Sequence, residues 1–210
     1  MNSIIQKLKN KSALKLYHSY IQGHCLDLSG NSNNGTPTSG CVFQGNEGLW
    51  ISGTDKVTVA NHASIQLTTG TWVFHTSEIR QQKNYNVFFT KQGPATSEIQ
   101  FYIISTGLSV ATTPESIIAV TTNHKKLFAF SYTSPGKPLF YQNGVYLGQG
   151  NISVTCGVKD IPINIGNDIL NAYPINGCIK SVLIINRVLT ASEHAALFYE
   201  LENQKAERSI

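Results

Sequence analysis

The stretch "LFAFSYTSPGKPLFYQNGVYLGQG", residues 127 to 150, gives the strongest local signal for the fold. Its apolar runs are short and rich in the β-branched and aromatic residues that favour strands, and Gly, Pro and Asn separate them. Asn143-Gly144 lies between two apolar runs, and this dipeptide favours the type I′ turn that joins two antiparallel strands. The stretch therefore predicts antiparallel β-structure.

Similar short runs continue on both sides at the spacing expected of a β-sandwich. The predicted strands are residues 42–51, 56–60, 71–80, 86–92, 98–106, 108–112, 116–122, 126–133, 137–150, 151–156, 162–166 and 178–188. One firm helix is expected at residues 190–204, where Thr190 and Glu193 have the spacing of a capping box. The N-terminal residues 3 to 16 fit either one or two helical turns or an extended arm.

Length and charge predict one domain with a basic end. The chain has 210 residues, and Lys7, Lys9, Lys11 and Lys15 account for the net charge of +4, because the other 12 basic residues balance the 12 acidic ones. We therefore expect a basic N-terminal arm at 1–16 and a neutral domain at 17–210, which excludes a basic nucleic-acid-binding domain. The arm is either solvated or docks on an acidic neighbour.

The start of the sequence has no apolar segment typical of a signal peptide, and no run is long enough to span a membrane. We expect a protein made in the cytoplasm. The four cysteines, Cys25, Cys41, Cys156 and Cys178, should then be reduced and packed as small apolar groups.

Four segments in order resemble the laminin-G-like, or concanavalin A-like, jelly-roll superfamily. They are "DLSGNSNNGT" (27–36), "GLWISGTDKVTVANHASIQLTTGTWVF" (48–74), residues 127–150, and "INIGNDILNAYPINGCIKSVLIINRVLTASEHAALF" (163–198). The resemblance implies an all-β fold: a two-sheet antiparallel jelly-roll sandwich with one C-terminal helix and a short N-terminal arm. It implies no single function, because the fold hosts glycosidases, lectins, adhesion domains and structural modules.

The acidic residues argue against a glycosidase. Such enzymes need two carboxylates on opposite sides of the glycosidic bond, and the enzymes of the resembled superfamily carry them as E-x-D-x-x-E or E-x-D-x-E on one strand. Neither motif occurs in the sequence. We expect a non-catalytic protein.

Two polar loops are the candidate binding sites. Asp27, in the first loop, is a candidate calcium ligand; the alternative is that its side chain holds a turn by bonding nearby backbone N–H groups. In the loop 166–177, Asn167, Asp168, Asn171 and Tyr173 are candidate glycan contacts, and the alternative is a solvated loop. No cofactor is expected apart from this possible calcium ion.

The last long strand is apolar on both faces, because Leu183 and Ile185 alternate with Val182 and Ile184. The second face must be covered either by the C-terminal helix or by a partner subunit. Leu183 and Ile185 are therefore candidate docking residues, together with Lys7, Lys9, Lys11 and Lys15.

We interpret the protein as a structural or interaction component of a bacteriophage virion, such as a capsid decoration, collar or tail protein. The alternative is a lectin-like module, with or without calcium, that binds cell-surface glycans. The expected partners are other virion proteins or further copies of the chain, with glycans as the alternative and without nucleic acid or a membrane span.

Overall fold

The computed structural model describes residues 3–80, 85–93, 96–104, 107–111, 115–119, 127–156 and 159–204. These residues form two α-helices, α1 (Ile4–Asn10) and α2 (Ala191–Glu202). They also form fifteen strands: β1 (Leu14–Ser19), β2 (Gly35–Pro37), β3 (Val42–Phe43), β4 (Leu49–Ile51), β5 (Val57–Val59), β6 (Thr69–Ile79), β7 (Tyr85–Gly93), β8 (Thr96–Ile104), β9 (Gly107–Ala111), β10 (Glu115–Ala119), β11 (Leu127–Thr133), β12 (Leu139–Gln142), β13 (Val145–Gln149), β14 (Ile163–Ile165) and β15 (Gly177–Ile185).

The strands make two antiparallel sheets. Sheet A has eight strands in the order β13-β12-β11-β6-β15-β4-β3, with β1 also paired to β15. Sheet B has seven strands in the order β10-β9-β8-β7-β14-β5-β2. The predicted all-β fold of two antiparallel sheets with a C-terminal helix is confirmed. No described helix is long and apolar enough to cross a membrane.

The main core lies between the sheets and is strongly aromatic. Trp72 of sheet A stacks on Phe89 of sheet B with ring centroids 4.3 Å apart, and Phe74 stacks on Phe88 at 4.6 Å. All four side chains are buried. Phe88 and Phe89 are consecutive in β7, and both reach the core because the register of β7 on β8 shifts between Val87 and Phe89.

A second apolar layer lies on the outer face of sheet A, under the two helices. Leu183 and Ile185 are fully buried there and pack in one cluster with Leu8 of α1 and Leu197 of α2. The assignment of Leu183 and Ile185 as docking residues is thus corrected: helices of the same chain cover them. The capping box of Thr190 and Glu193 that starts α2 is present as predicted.

The N-terminal residues are part of the fold rather than a free arm. Ile5 and Leu8 of α1 are buried, and β1, which begins at Leu14, pairs with β15. The lysines of this segment lie among those apolar residues. A boundary at residue 16 would therefore cut β1.

The hairpin predicted at Asn143-Gly144 is confirmed, with positive φ at both residues (53° and 76°) between β12 and β13. The predicted strand at 151–156 is wrong, because only Val154 pairs there, in an isolated bridge with Gly136. Residues 105, 106, 112, 120–122 and 126 of the predicted strands lie outside the described residues.

Candidate functional site

Asp27 holds the loop after β1 with hydrogen bonds from the chain itself. Its Oδ1 accepts from the backbone N–H groups of Tyr17 (2.9 Å) and Ser29 (2.9 Å). Its Oδ2 accepts from the Ser29 hydroxyl (2.8 Å) and the N–H of Asn33 (2.9 Å). A calcium ion needs roughly six to eight oxygen ligands and would compete with these four donors. The structure therefore favours the alternative, in which the Asp27 carboxylate fixes a turn in the manner of an Asx-turn, and calcium binding at Asp27 stays a prediction.

Among the residues that the structure describes, no three or more His, Cys, Asp or Glu side chains are grouped so that they could hold a metal ion. The four cysteines are thiols rather than disulfides. Burial raises the pKa of the Cys25 thiol to about 12, which keeps it protonated and unreactive near neutral pH.

Asn167 is fully buried and ties the loop between β14 and β15 to a distant turn. Its Nδ2 donates to the backbone oxygens of Gly53 (3.1 Å) and Asp55 (3.3 Å). Its Oδ1 accepts from the N–H groups of Asp168 (2.9 Å) and Tyr173 (3.2 Å). The donor of this amide is thus used by the turn at Gly53 and Asp55, and its acceptor is used within the loop.

Asp168 has the same structural role. It is buried, and its Oδ1 accepts from the backbone N–H of Ala172 at 2.6 Å. The assignment of Asn167 and Asp168 as glycan contacts is therefore corrected, because both side chains face the inside of the loop and shape it.

The outward side of this loop carries the other two predicted contacts. Asn171 is exposed in a left-handed conformation (φ 57°), and its Oδ1 accepts from Nζ of Lys56 at 2.8 Å. Tyr173 is 40% exposed, and its backbone oxygen accepts from the N–H of Val87 at 3.1 Å. This last bond anchors Tyr173 beside β7, so the loop meets sheet B at this point.

A cleft of about 210 Å³ opens where Tyr173 meets sheet B. Its described lining is formed by Val87 of β7, Gln100 and Tyr102 of β8, and Tyr173 of the loop. Val87 lies directly opposite Tyr102 in the strand register. Ile99, Phe101 and Ile103 belong to the core, so Gln100 and Tyr102 are on the outer face of sheet B.

A row of polar side chains extends across this outer face from the cleft. In register, Thr58 is opposite Asn164, Asn164 is opposite Thr90, and Thr90 is opposite Gln100. The Thr58 hydroxyl donates to Oδ1 of Asn164 at 3.0 Å. Since residues opposite one another share a face, these hydroxyl and amide groups lie on the same face as Tyr102, and Thr90 and Asn164 are buried there.

The sequence did not single out Val87, Gln100 or Tyr102, although they form most of the cleft. The alternation of Gln100 and Tyr102 with the apolar residues of β8 was a signal for an outward polar and aromatic face. Only the pairing of β7 with β8, and the anchoring of the loop on β7, place these residues beside Tyr173.

Two histidines beneath α2, His75 and His194, each lie beside a serine hydroxyl. Both His–Ser pairs are buried. His75 contacts Oε1 of Glu202 through Nε2 (2.7 Å) and the Ser181 hydroxyl through Nδ1 (3.5 Å). Burial lowers the pKa of His75, and the hydrogen bond with Glu202 opposes this shift. His75 and Ser181 are each 1% exposed. The contact between buried His75 and Glu202 fastens the end of α2 to sheet A.

His194 fastens the start of α2. Its ring stacks on Tyr141 at 3.6 Å between centroids, and its Nε2 lies 3.2 Å from the Ser131 hydroxyl. The Nδ1 atom is buried and has no hydrogen-bond partner among the described residues. Burial lowers the pKa of His194 to about 4, so the side chain is neutral at pH 7.

The predicted docking lysines lie at the N-terminal end of the chain. Lys7, Lys9 and Lys11 are exposed on α1 and its C-terminal end, and Lys15 is half-buried on β1. None of the four forms an ion pair with a residue that the structure describes. They therefore leave uncompensated positive charge on this side of the molecule.

Comparison with known proteins finds similar structures but no similar sequences among families or curated proteins. No family model and no curated protein matches the sequence. Domain 4 of AbnA, a GH43 extracellular arabinanase from Geobacillus stearothermophilus solved with arabinotriose, has a TM-score of 0.62 and 19% identity, over 88% of this chain and 98% of that chain.

Two further similar structures are larger than this chain. The binding domain of Botulinum neurotoxin DC, solved with SialylT, has a TM-score of 0.64 and 16% identity, over 91% of this chain and 52% of that chain. Trypanosoma rangeli sialidase, solved with sialic acid, has a TM-score of 0.68 and 17% identity, over 91% of this chain and 33% of that chain. The chain thus spans about half of the toxin domain and a third of the sialidase. At these identities the similarity shows the fold, and membership of the jelly-roll superfamily stays a prediction.

Proposed function

We propose that the protein is a glycan-binding module whose site is the cleft of Val87, Gln100, Tyr102 and Tyr173. The observation that carries this proposal is the partly exposed ring of Tyr173, held beside a second tyrosine and an amide on the polar face of sheet B. The C–H face of a sugar ring packs on aromatic side chains, and sugar hydroxyls pair with amide and phenol groups, which both donate and accept.

The chemistry of the lining favours a neutral sugar. The four described residues of the cleft are uncharged. Lys56, at the outer side of the loop, already donates to Asn171. Among the described lining residues, the carboxylate of an acidic sugar would meet no cation, and an unpaired charge in a partly desolvated cleft is unfavourable.

The structural comparisons support binding of carbohydrate in general. The AbnA domain, which this chain matches over almost its whole length, was solved with arabinotriose, and the toxin binding domain was solved with SialylT. These ligands belong to those proteins and differ from each other. They support the class of ligand, whereas the neutral character proposed for this chain comes from its own cleft.

We propose binding without hydrolysis. Glycosidases use two carboxyl groups that flank the scissile bond, and the described lining of the cleft supplies an amide and two phenols instead. An assay with the bound glycan as substrate tests this point, and release of a reducing sugar would refute it.

The finer role suggested by the sequence, a component of a bacteriophage particle made in the cytoplasm, is a separate proposal. A glycan-binding module would serve such a particle by attaching it to a cell surface. Mass spectrometry of purified particles is the test: the chain is expected among the particle proteins, and its absence there would contradict this role.

A glycan array that includes neutral and sialylated oligosaccharides tests the main proposal. We expect neutral glycans among the hits, with an affinity that does not change when calcium is chelated. Calorimetry should show binding weakened about two- to tenfold in Tyr173→Ala, because one aromatic contact contributes roughly 0.5–1.5 kcal/mol. Tyr146→Ala, at a 48% exposed tyrosine of β13, is the matched control and should bind normally. An array without hits would overturn the proposal.

A further inference from the structure

A groove of about 650 Å³ lies between α1 and α2, away from the cleft on sheet B. Its apolar lining includes Ile4, Ala196 and Tyr199, and its charged lining includes Lys7, Glu193 and Glu200. Neither helix is needed for the proposed glycan site.

Tyr199 is the most exposed aromatic residue of the described chain, at 73%. It lies in the groove next to Ile4, which is half-buried, and Ala196, which is exposed. The opposite side of α2 packs on sheet A through Leu197 and Leu201, so the fold itself does not require an aromatic side chain at Tyr199. An exposed apolar patch within a concave surface is typical of a site that binds a protein segment.

The acidic groups of the groove already have partners. Both carboxylate oxygens of Glu193 accept from the guanidinium of Arg187, at 2.8 and 2.6 Å, and this pairing holds the pKa of Glu193 at about 2. Oε2 of Glu200 accepts from the backbone N–H groups of Ile4 (2.7 Å) and Ile5 (3.4 Å). The charge of Glu193 is thus compensated by Arg187, whereas the carboxylate of Glu200 keeps its charge and is held against α1 by two neutral N–H groups.

The positive charges on the α1 side have no ion-pair partner among the residues that the structure describes. Lys7 lines the groove, Lys11 follows it by four residues at the end of the same helix, and Lys9 is exposed between them. No described acidic side chain forms an ion pair with any of them. The rim therefore favours an incoming negative charge.

We propose that the α1–α2 groove binds an acidic segment of a partner protein. An apolar side chain of that segment packs against Tyr199 and Ile4, and its carboxylates pair with Lys7 and Lys11. The concave shape admits a peptide chain, whereas a lipid bilayer would contact only its rims. The groove is thus a second binding surface, independent of the glycan cleft.

Selection of peptides on the full chain tests this proposal. A library of random peptides of about 12 residues is panned against the wild-type protein, and the enriched peptides are synthesised. We expect acidic sequences with at least one aromatic or aliphatic residue. Their affinity should fall about tenfold or more in Lys7→Glu and in Tyr199→Ser, and it should fall as salt is raised.

Matched controls separate this surface from the rest of the molecule. Lys137→Glu makes the same charge reversal at an exposed lysine outside the groove, and Tyr173→Ser makes the same truncation in the glycan cleft. Both controls should bind the selected peptides as the wild type does. Because Lys7 and Tyr199 are exposed, their substitution should leave the melting temperature within a few degrees of the wild type.

Three results would overturn the proposal. Enriched peptides without an excess of Asp and Glu would remove the charge argument. Equal affinity of a peptide for the wild type, Lys7→Glu and Tyr199→Ser would place binding elsewhere. Lys7-dependent binding to vesicles of phosphatidylcholine and phosphatidylglycerol, without binding of acidic peptides, would show that the surface is for lipid.

Discussion

Acid should weaken the attachment of α2 to sheet A through His194. This side chain is fully buried, stacks on Tyr141, and has a lone Nδ1 that would need an acceptor if it were protonated. It also lies in the first turn of α2, where the helix dipole disfavours a positive charge. The neighbouring Glu193 opposes the effect, but burial is the larger cause, and the pKa falls from 6.5 to about 4.

The direction and size of the effect follow from linkage. Above pH 6.5, His194 is neutral in the folded and unfolded chain, so its contribution to the free energy of unfolding does not change with pH. As the pH falls from 6.5 towards 4, the unfolded chain binds a proton that the folded chain does not, and the free energy of unfolding decreases. At about 1.4 kcal/mol for each pKa unit, the full loss is roughly 3 kcal/mol.

Urea unfolding measured between pH 7 and pH 4 would reveal this loss. His18 and His75 also have pKa values lowered by burial, so the wild-type slope contains more than one contribution. The informative comparison is the slope of the free energy of unfolding against pH in the wild type and in His194→Gln. This slope should be smaller in His194→Gln by up to about 1.4 kcal/mol per pH unit. Leu170→Ala, which removes no titratable group at a 76% exposed position, should keep the wild-type dependence on pH. If His194→Gln also keeps it, the reasoning is wrong.

Three further substitutions test the packing and the first loop. Asp27→Asn should lower the free energy of unfolding by roughly 1–3 kcal/mol, because it weakens hydrogen bonds to a charged acceptor. If calcium raised the melting temperature of the wild type, this would contradict a loop held only by its own hydrogen bonds. Leu183→Ala should cost roughly 2–5 kcal/mol in urea unfolding, whereas Leu170→Ala, at a 76% exposed position, should cost less than about 0.5 kcal/mol. Gly144→Ala should lower the free energy of unfolding by roughly 1–3 kcal/mol, because the residue has φ +76° and an added Cβ would lie 2.7 Å from Cα of Ala195. An unchanged free energy of unfolding would refute this prediction.

Local chemistry made parts of the fold predictable. Asn143-Gly144 predicted the hairpin because few other residue pairs accept positive φ at both central positions of the turn. Thr190 and Glu193 predicted the start of α2 because their side chains satisfy backbone N–H groups that a helix leaves unpaired. The apolar run at Leu183 and Ile185 predicted that something covers the outer face of sheet A, and the helices do so.

Features that depend on distant parts of the chain were not predictable in this way. Strand β1 is recognised by its pairing with β15, which lies more than a hundred residues away. The lysines of residues 1–16 made this segment resemble a solvated arm. Asn167 resembled a surface contact, yet it is buried because its amide bonds the turn at Gly53 and Asp55. The alternation of polar and apolar residues shows which side chains point outward, but not which distant loop will lie beside them.

The central claim is that a glycan binds at the cleft on the outer face of sheet B. Its most direct test is a titration of the ¹⁵N-labelled chain with the neutral glycan that binds most tightly on the array, followed by NMR. The account predicts chemical-shift changes concentrated at Val87, Gln100, Tyr102 and Tyr173, with little change at Tyr199. Changes concentrated at the Asp27 loop or the α1–α2 groove, with the cleft unaffected, would contradict it.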